Sequence, residues 1–461
     1  MIVIEANEIP KSIFEWYAAL KKGPLSKALE NNSLIDTLLD DVEEEYLYPS
    51  QAWASISTGH PANIHNIRWY NDATSKHDFY WRNAAKNNKN VALMNVLHSG
   101  SISDEEVKNY SFIFPDFFSI YPEVNNKKYK NFQVFNHQMS VSSGRKTSKK
   151  DILINALKGF LKYPFPSSWG VSLKDFSKWV SLIKNARKDS EVLRNAQFLL
   201  QSRIFLNEIK NKIIGQDLSV FFTNHVASCL HRNFHDISKS NKDDKDKKLK
   251  ILLSMKLLDD FIYDCKKLYP KRDIIIISAM GQKLNRKVDE KYKTLNKIDF
   301  KLTDIKKFLS FFIKDIDSIE VLNEMIPQYT FKFSNEDHLN KFISKINSIG
   351  SDPNAMRFGY YVPKGKASNK TKGFFCHADV KRDLVTCTVS VRPDENGNVL
   401  LDGREINFST IGFSSLQVND YHHGEHSKFG CLISIKDSPN LEKMHFSEIK
   451  NFILSKIYNG A

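Results

Sequence analysis

DIIIISAMG, residues 273–281, is an apolar, largely β-branched run that closes on small residues, and an amphipathic helical pattern at about 248–268 leads into it. A run this short and this apolar reads as a strand buried on both faces. Working outward, LSVFFTN (218–224) has the same character, and so does NVALMNVL (90–97), which follows a helical stretch around 80–88. At the start of the chain MIVIEAN passes through a polar turn into the apolar-periodic KSIFEWYAAL, which reads as strand, loop and helix. Buried strands alternating with helices predict an α/β fold, a doubly wound and mostly parallel sheet flanked by helices on both faces.

The remaining segments read as additions to that core. Residues 151–215 carry a helical pattern broken at YPFPSSWG (163–170), which predicts a helical insertion or cap. DISKSNKDDKDK (236–247) reads as a polar loop. From about 355, RFGYYVP, DLVTCTVSV and the DENGN turn (394–398) predict a β-rich excursion, after which CLISIKD (431–437) returns to the main sheet before a final helix at 446–458. The expected organisation is a first part of the core over 1–150, the helical insertion over 151–215 and a second part of the core over 216–300. A mixed α+β insertion over 301–419 and a C-terminal strand and helix over 420–461 complete it.

Composition narrows the class. The 461 residues hold 67 basic and 53 acidic side chains, a net charge of 67 − 53 = +14, and 41% of them are hydrophobic. That is enough apolar surface to exclude a mostly disordered chain, and 18 Gly with 14 Pro exclude a collagen-like one. No apolar run approaches the roughly 18–20 residues that span a bilayer. The N-terminus lacks the basic and apolar regions of a secretory signal. Cys229, Cys265, Cys376, Cys387 and Cys431 show no CxxC spacing, the pattern of a reducing compartment, so a cytoplasmic location is expected. The surplus of Lys is dispersed, and there is no RNP-type strand, zinc finger or basic helix. The expected partner is therefore an anionic small molecule or glycan rather than nucleic acid. The oligomeric state is not legible.

Ligands of open α/β sheets gather at the carboxyl ends of the strands. The residues there are Asn7 and Glu8 after the first strand, Asn224, His225 and the later His231 after the third, and Ser278 to Gly281 after the fourth. Just before the last strand stands YHHGEH, with His422, His423, Glu425 and His426. Separately, YLYPSQAWASISTGHPANIHNI (46–67) sets Ser50 behind Pro49 at the start of a helical stretch closed by Gly59, so a hydroxyl faces unpaired N–H groups. That geometry suits a phosphoryl or sulfuryl group, although a lone Ser there also serves as an N-cap.

Taken together these segments resemble the alkaline phosphatase superfamily, particularly its type I phosphodiesterase/nucleotide pyrophosphatase and sulfatase-like branches. In SISTGHPANIHNI, Thr58, Gly59, Pro61, His65 and Ile67 match the Thr-Gly-x-x-Pro-x-x-His-Gly-Ile segment that follows the nucleophile, with Asn66 in place of the second Gly. GEHSKFGCLIS (424–434) is similar to the late Gly-x-His segment and puts His426 at its metal ligand. VFFTNHVASCLHRNF resembles the Asp-x-x-x-His pair, with His231 at the His and Ala227 at the Asp. The resemblance covers roughly residues 1–100, 215–285 and 420–460. Four further positions depart from it: Ala279 and Met280 replace an Asp-His pair, Asn7 replaces an Asp, and Ser50 falls one residue late for the nucleophile.

The resemblance implies an alkaline phosphatase-like core and a metal-assisted hydrolase or transferase of a phosphoester or sulfoester, with Ser50 as nucleophile. It also suggests a link to bacterial surface-polysaccharide metabolism. With the Asp-His pair gone, it leaves one divalent ion, zinc or manganese, for His231 and His426, with Asn7, Glu8, His225 and His423 as further candidate ligands. The alternative is a catalytically inactive relative that binds an anionic glycan or acts as a scaffold. For a Lys-rich nucleic-acid binder only the charge speaks.

Overall fold

In the computed structural model the described residues are all but 42–46, 120–123, 142–168, 186–189, 235–243, 285–296, 323–327, 348–372, 393–397, 419–423, 437–440 and scattered runs of three residues or fewer. The elements that build the core are, in chain order, β1 (Ile2–Ala6), α1 (Lys11–Leu20), β2 (Leu34–Leu38), α2 (Pro49–Thr58), α3 (Tyr80–Lys86), β3 (Val91–Met94) and β4 (Tyr110–Phe114). They continue with α4 (Ser190–Ile209), β5 (Leu218–Thr223), α5 (His225–Asn233), α6 (Asp244–Leu268), β6 (Ile274–Ser278) and β7 (Gly281–Leu284). Near the C-terminus come β8 (Gly424–Ser427), β9 (Phe429–Ser434), β10 (Lys443–His445) and α7 (Phe446–Asn459).

The main sheet has eight strands in the order β10-β2-β9-β6-β1-β5-β3-β4. β1 pairs in parallel with β5 and β6, and β3 with β4 and β5. β9 runs antiparallel to both of its neighbours, β2 and β6. The class is thus the expected α/β one, a mostly parallel sheet between helical layers. Alternation along β1 divides the core: Ile2, Ile4 and Ala6 pack with Ile13, Phe14, Phe198 and Phe261 from α1, α4 and α6. Val3 points the other way, toward Trp53, Trp81 and Ile449 of α2, α3 and α7. Each such side chain contributes about 1.5–3 kcal/mol on burial, so the sheet is held from both sides.

The helical stretch at 190–209 differs from a cap. Phe198, Leu200, Ile204 and Phe205 of α4 are fully buried in the same cluster as Ile2 and Ile4, so this helix is a layer of the core. Of the expected polar loop, residues 236–243 lie outside the described residues, and 244–247 already belong to α6. Residues 297–418 hold a four-stranded antiparallel sheet built from Glu320–Leu322, Gln328–Phe333, Gly373–Lys381 and Leu384–Arg392. Helices Ile305–Phe312 and Glu336–Asn347 belong to the same region, whose own core gathers Phe308, Phe331, Phe342 and Phe413. RFGYYVP and most of DENGN lie outside the described residues. No described helix is long and apolar enough to cross a membrane.

Candidate metal centre

β1 ends at the middle of the sheet, and the backbone turns sharply there. Asn7 N–H still donates to the Thr223 carbonyl at 3.0 Å, extending the β1/β5 ladder by one bond. Glu8 then adopts a left-handed φ of 55°, which costs an L residue about 1–2 kcal/mol. Two bonds hold the turn: Ile9 N–H donates to Ser278 Oγ at 2.8 Å, and Ser278 Oγ donates to the Met280 carbonyl at 2.9 Å. A glutamate in this conformation with its side chain only 3% exposed is where strain and function commonly meet.

Two histidines converge on that carboxylate. His231, near the end of α5, sets Nε2 2.7 Å from Glu8 Oε2, and His426 of β8 sets its Nε2 3.4 Å from the same oxygen. On the far side of each ring, Nδ1 lies 3.0 Å from the Gly424 carbonyl in His231 and 2.7 Å from the Leu47 carbonyl in His426. Carbonyls only accept, so Nδ1 carries the proton in both rings. Each Nε2 is thereby aimed at Oε2 of Glu8, where a proton or a metal ion can bridge. One ligand atom from each residue lies within 4.8 Å of the others, making this a candidate metal-binding group among the described residues. The rest of Glu8 is also bonded: Oε1 accepts from Asn7 Nδ2 at 2.7 Å, and Oε2 from Gln282 Nε2 at 2.7 Å.

The electrostatics follow from this crowding. Burial alone would push the Glu8 carboxyl up, but His426 and His231 together, by charge and hydrogen bonding, hold it well below the usual carboxylate range. Burial works against a proton on His426, yet the Glu8 carboxylate outweighs it and raises the imidazole above its ordinary value. Two imidazoles and a carboxylate, with outer carbonyls fixing the tautomers, form a donor set that fits a divalent ion such as zinc or manganese.

The other expected site residues divide. Asn7 is beside the centre as a donor to Glu8, and its own amide is oriented by Trp53 Nε1 donating to Oδ1 at 2.8 Å and by Nδ2 donating to Asn224 Oδ1 at 2.8 Å. Ser50 is buried at the second position of α2. It is bracketed by Leu47, which receives His426, and Trp53, which reaches Asn7, while His98 Nε2 lies 2.9 Å from its backbone carbonyl. His225 does not join the cluster. Its Nδ1 is 2.7 Å from Thr223 Oγ1, its Nε2 is 3.0 Å from the Ser254 carbonyl, and its ring stacks on Phe198 at 3.7 Å. Burial in that apolar layer pushes its pKa down to about 3, so it is a neutral core residue rather than a ligand. His423 lies outside the described residues. His65 is occupied in fixing its own segment, with Nε2 2.9 Å from Ser55 Oγ and Nδ1 accepting from Ile67 N–H at 2.9 Å.

Ala279 and Met280 are 1% and 0% exposed and pack with Val3, Ile275 and Ile277 in the core. The segment after β6 is therefore hydrocarbon where it faces the core. Gln282 and the carbonyls of Leu47 and Gly424 are the contributors that sequence reading missed. A backbone carbonyl leaves no trace in residue type, and a lone Gln carries no metal signal; the pairing of Gln282 opposite His426 in β7/β8 is what brings it in.

No protein-family model matches the sequence, and neither does any curated protein. Solved structures do match in three dimensions. Phosphonoacetate hydrolase from Sinorhizobium meliloti, in complex with phosphonoformate, is 10% identical, with 99% of this chain and 95% of that one covered at a TM-score of 0.40. Human ectonucleotide pyrophosphatase/phosphodiesterase 5 is 9% identical, with 99% and 94% covered at 0.34. Wild-type alkaline phosphatase PafA is 12% identical, with 99% and 95% covered at 0.37. Likenesses this distant say nothing of what the present chain acts on.

Proposed function

We propose that the chain is a divergent member of the alkaline phosphatase superfamily acting as a metal-assisted hydrolase or transferase on a phosphoester or sulfoester. One divalent ion, zinc or manganese, is held by Glu8, His231 and His426. The observation that carries this reading is the convergence of both Nε2 atoms on one buried carboxylate oxygen, with each Nδ1 tied to a backbone carbonyl. When bound, such an ion polarises the ester and lowers the pKa of an oxygen nucleophile. Ser50 is the nucleophile, and the N–H groups at the start of α2 favour an anionic group beside it. The Leu47 and Gly424 carbonyls keep both rings in the ligating tautomer, and Asn7 keeps Glu8 turned toward them. A glycan-linked ester handled in the cytoplasm is the substrate class in keeping with the sequence.

Elemental analysis of wild type beside His426→Ala tests the centre. About one equivalent of zinc or manganese, lost in the variant, is expected, and no metal even after soaking overturns it. Turnover of bis(p-nitrophenyl) phosphate or p-nitrophenyl sulfate, abolished in Ser50→Ala, then tests the chemistry. A second reading, an inactive binding or scaffolding protein for an anionic glycan, is favoured by the burial of Ala279 and Met280 in the core. It predicts glycan binding that survives Ser50→Ala, without turnover of either ester.

A further inference from the structure

Resting on that reading of the metal centre, we infer that Asn7 and Gln282 are positioning residues that clamp Glu8 by both oxygens, so that the carboxylate offers the ion Oε2 alone. Neither amide is free to turn. Trp53 Nε1 donates to Asn7 Oδ1 at 2.8 Å, which leaves Nδ2 to face Glu8 Oε1 at 2.7 Å. In Gln282, Nε2 donates to Glu8 Oε2 at 2.7 Å and to the Ala227 carbonyl at 3.2 Å, both acceptors that cannot donate. That orientation leaves Gln282 Oε1 buried without a hydrogen-bond partner among the described residues. Buried polar atoms are rarely left so, and here the cost is borne on the side away from Glu8.

The clamp has two consequences for the ion. Oε1 is already engaged, which disfavours chelation through both oxygens. Both clamping groups are neutral donors, and a carboxylate at either position would oppose Glu8 across 2.7 Å. Gly424 completes the arrangement. A Cβ there would lie 2.2 Å from Gln282 Oε1 and 3.2 Å from the Leu230 carbonyl, so only glycine lets the Gln282 amide reach Glu8.

The test uses the full-length protein loaded with zinc alone and, separately, with cobalt(II), whose visible absorption reports coordination number. Wild type is expected to bind one equivalent of either. Gln282→Met keeps the length of the side chain and removes the amide. It should raise the zinc dissociation constant about 10–100-fold, the usual effect of losing an outer partner of a ligand, and it should change the intensity of the cobalt bands as Oε2, no longer held by the Gln282 amide, shifts against the two imidazoles. Gly424→Ala displaces the same amide by contact and should reproduce both changes if Gln282→Met does not fold. Weaker binding with an unchanged cobalt spectrum would mean that Gln282 only supports the local structure, and unchanged affinity would mean that it is a bystander; either overturns the clamp. A wild type that binds neither ion overturns the metal centre itself, a different result from a variant that binds as wild type does.

Discussion

The two sides of the carboxyl end of β1 differ sharply in chemistry. On the β5 and β8 side, Glu8, His231 and His426 remain polar and meet at one oxygen. On the β6 side, Ala279 and Met280 have joined the hydrophobic core. The second side has not fallen idle, because Ser278, the residue before them, now pins Ile9 and so holds the Glu8 turn. The lesson is that an apolar segment beside a polar cluster can still serve it, by supporting the backbone of the residue at its centre.

The sharpest way to break the comparison is to return a charge to the filled side. Ala279→Asp buries a carboxylate among apolar side chains and should cost roughly 3–5 kcal/mol in chemical denaturation. A stable variant that takes up a second equivalent of metal would show that the filled side is still a site. Next comes Glu5, on the same strand, which accepts from Tyr80 Oη at 2.7 Å and whose carboxyl is pushed by burial to about 8. The unfolded chain ionises this group from about 4.5 upward while the folded protein keeps it protonated until about 8, so stability declines across that interval as pH rises. Glu5→Gln should therefore stabilise the protein by about 3 kcal/mol at pH 7 and by almost nothing at pH 4. Equal gains at both pH values would refute the protonated assignment. His426→Ala should weaken zinc at least about 100-fold, about 2.7 kcal/mol, in a competition titration with a chelator. Ser278→Ala strands the Ile9 N–H and should cost about 1–2 kcal/mol. If the β6 side really supports Glu8, this variant also loosens zinc; an unchanged zinc affinity would separate the two sides entirely.

Much of the core was legible because its strands are apolar on both faces. β1, β3, β5 and β6 all announce themselves as short hydrophobic runs. β2 alternates, with Leu34, Asp36 and Leu38 half-buried and only Ile35 and Thr37 inside. β10 is three residues long, and neither β2 nor β10 has a run to read. Of the candidate ligands, Glu8, His231 and His426 meet, whereas His225 does not. Six residues separate His225 from His231 on α5, well away from a whole number of turns, so one ring faces the Phe198 layer and the other faces Glu8. Sequence adjacency to a strand end named both, and helical phase chose between them.

The placement of β9 has a consequence for the order in which the protein can assemble. This strand, residues 429–434, lies between β2 and β6 and is hydrogen-bonded to both. During synthesis β2, at residues 34–38, waits for a neighbour made almost at the end of the chain. Until then β2 has no place in the sheet and β6 presents an unpaired edge, the kind of surface on which nascent chains associate wrongly. His426, in β8 just ahead of β9, is made equally late. Glu8, His231 and His426 therefore cannot meet until the sheet can close, so metal capture at the proposed centre would mark finished folding.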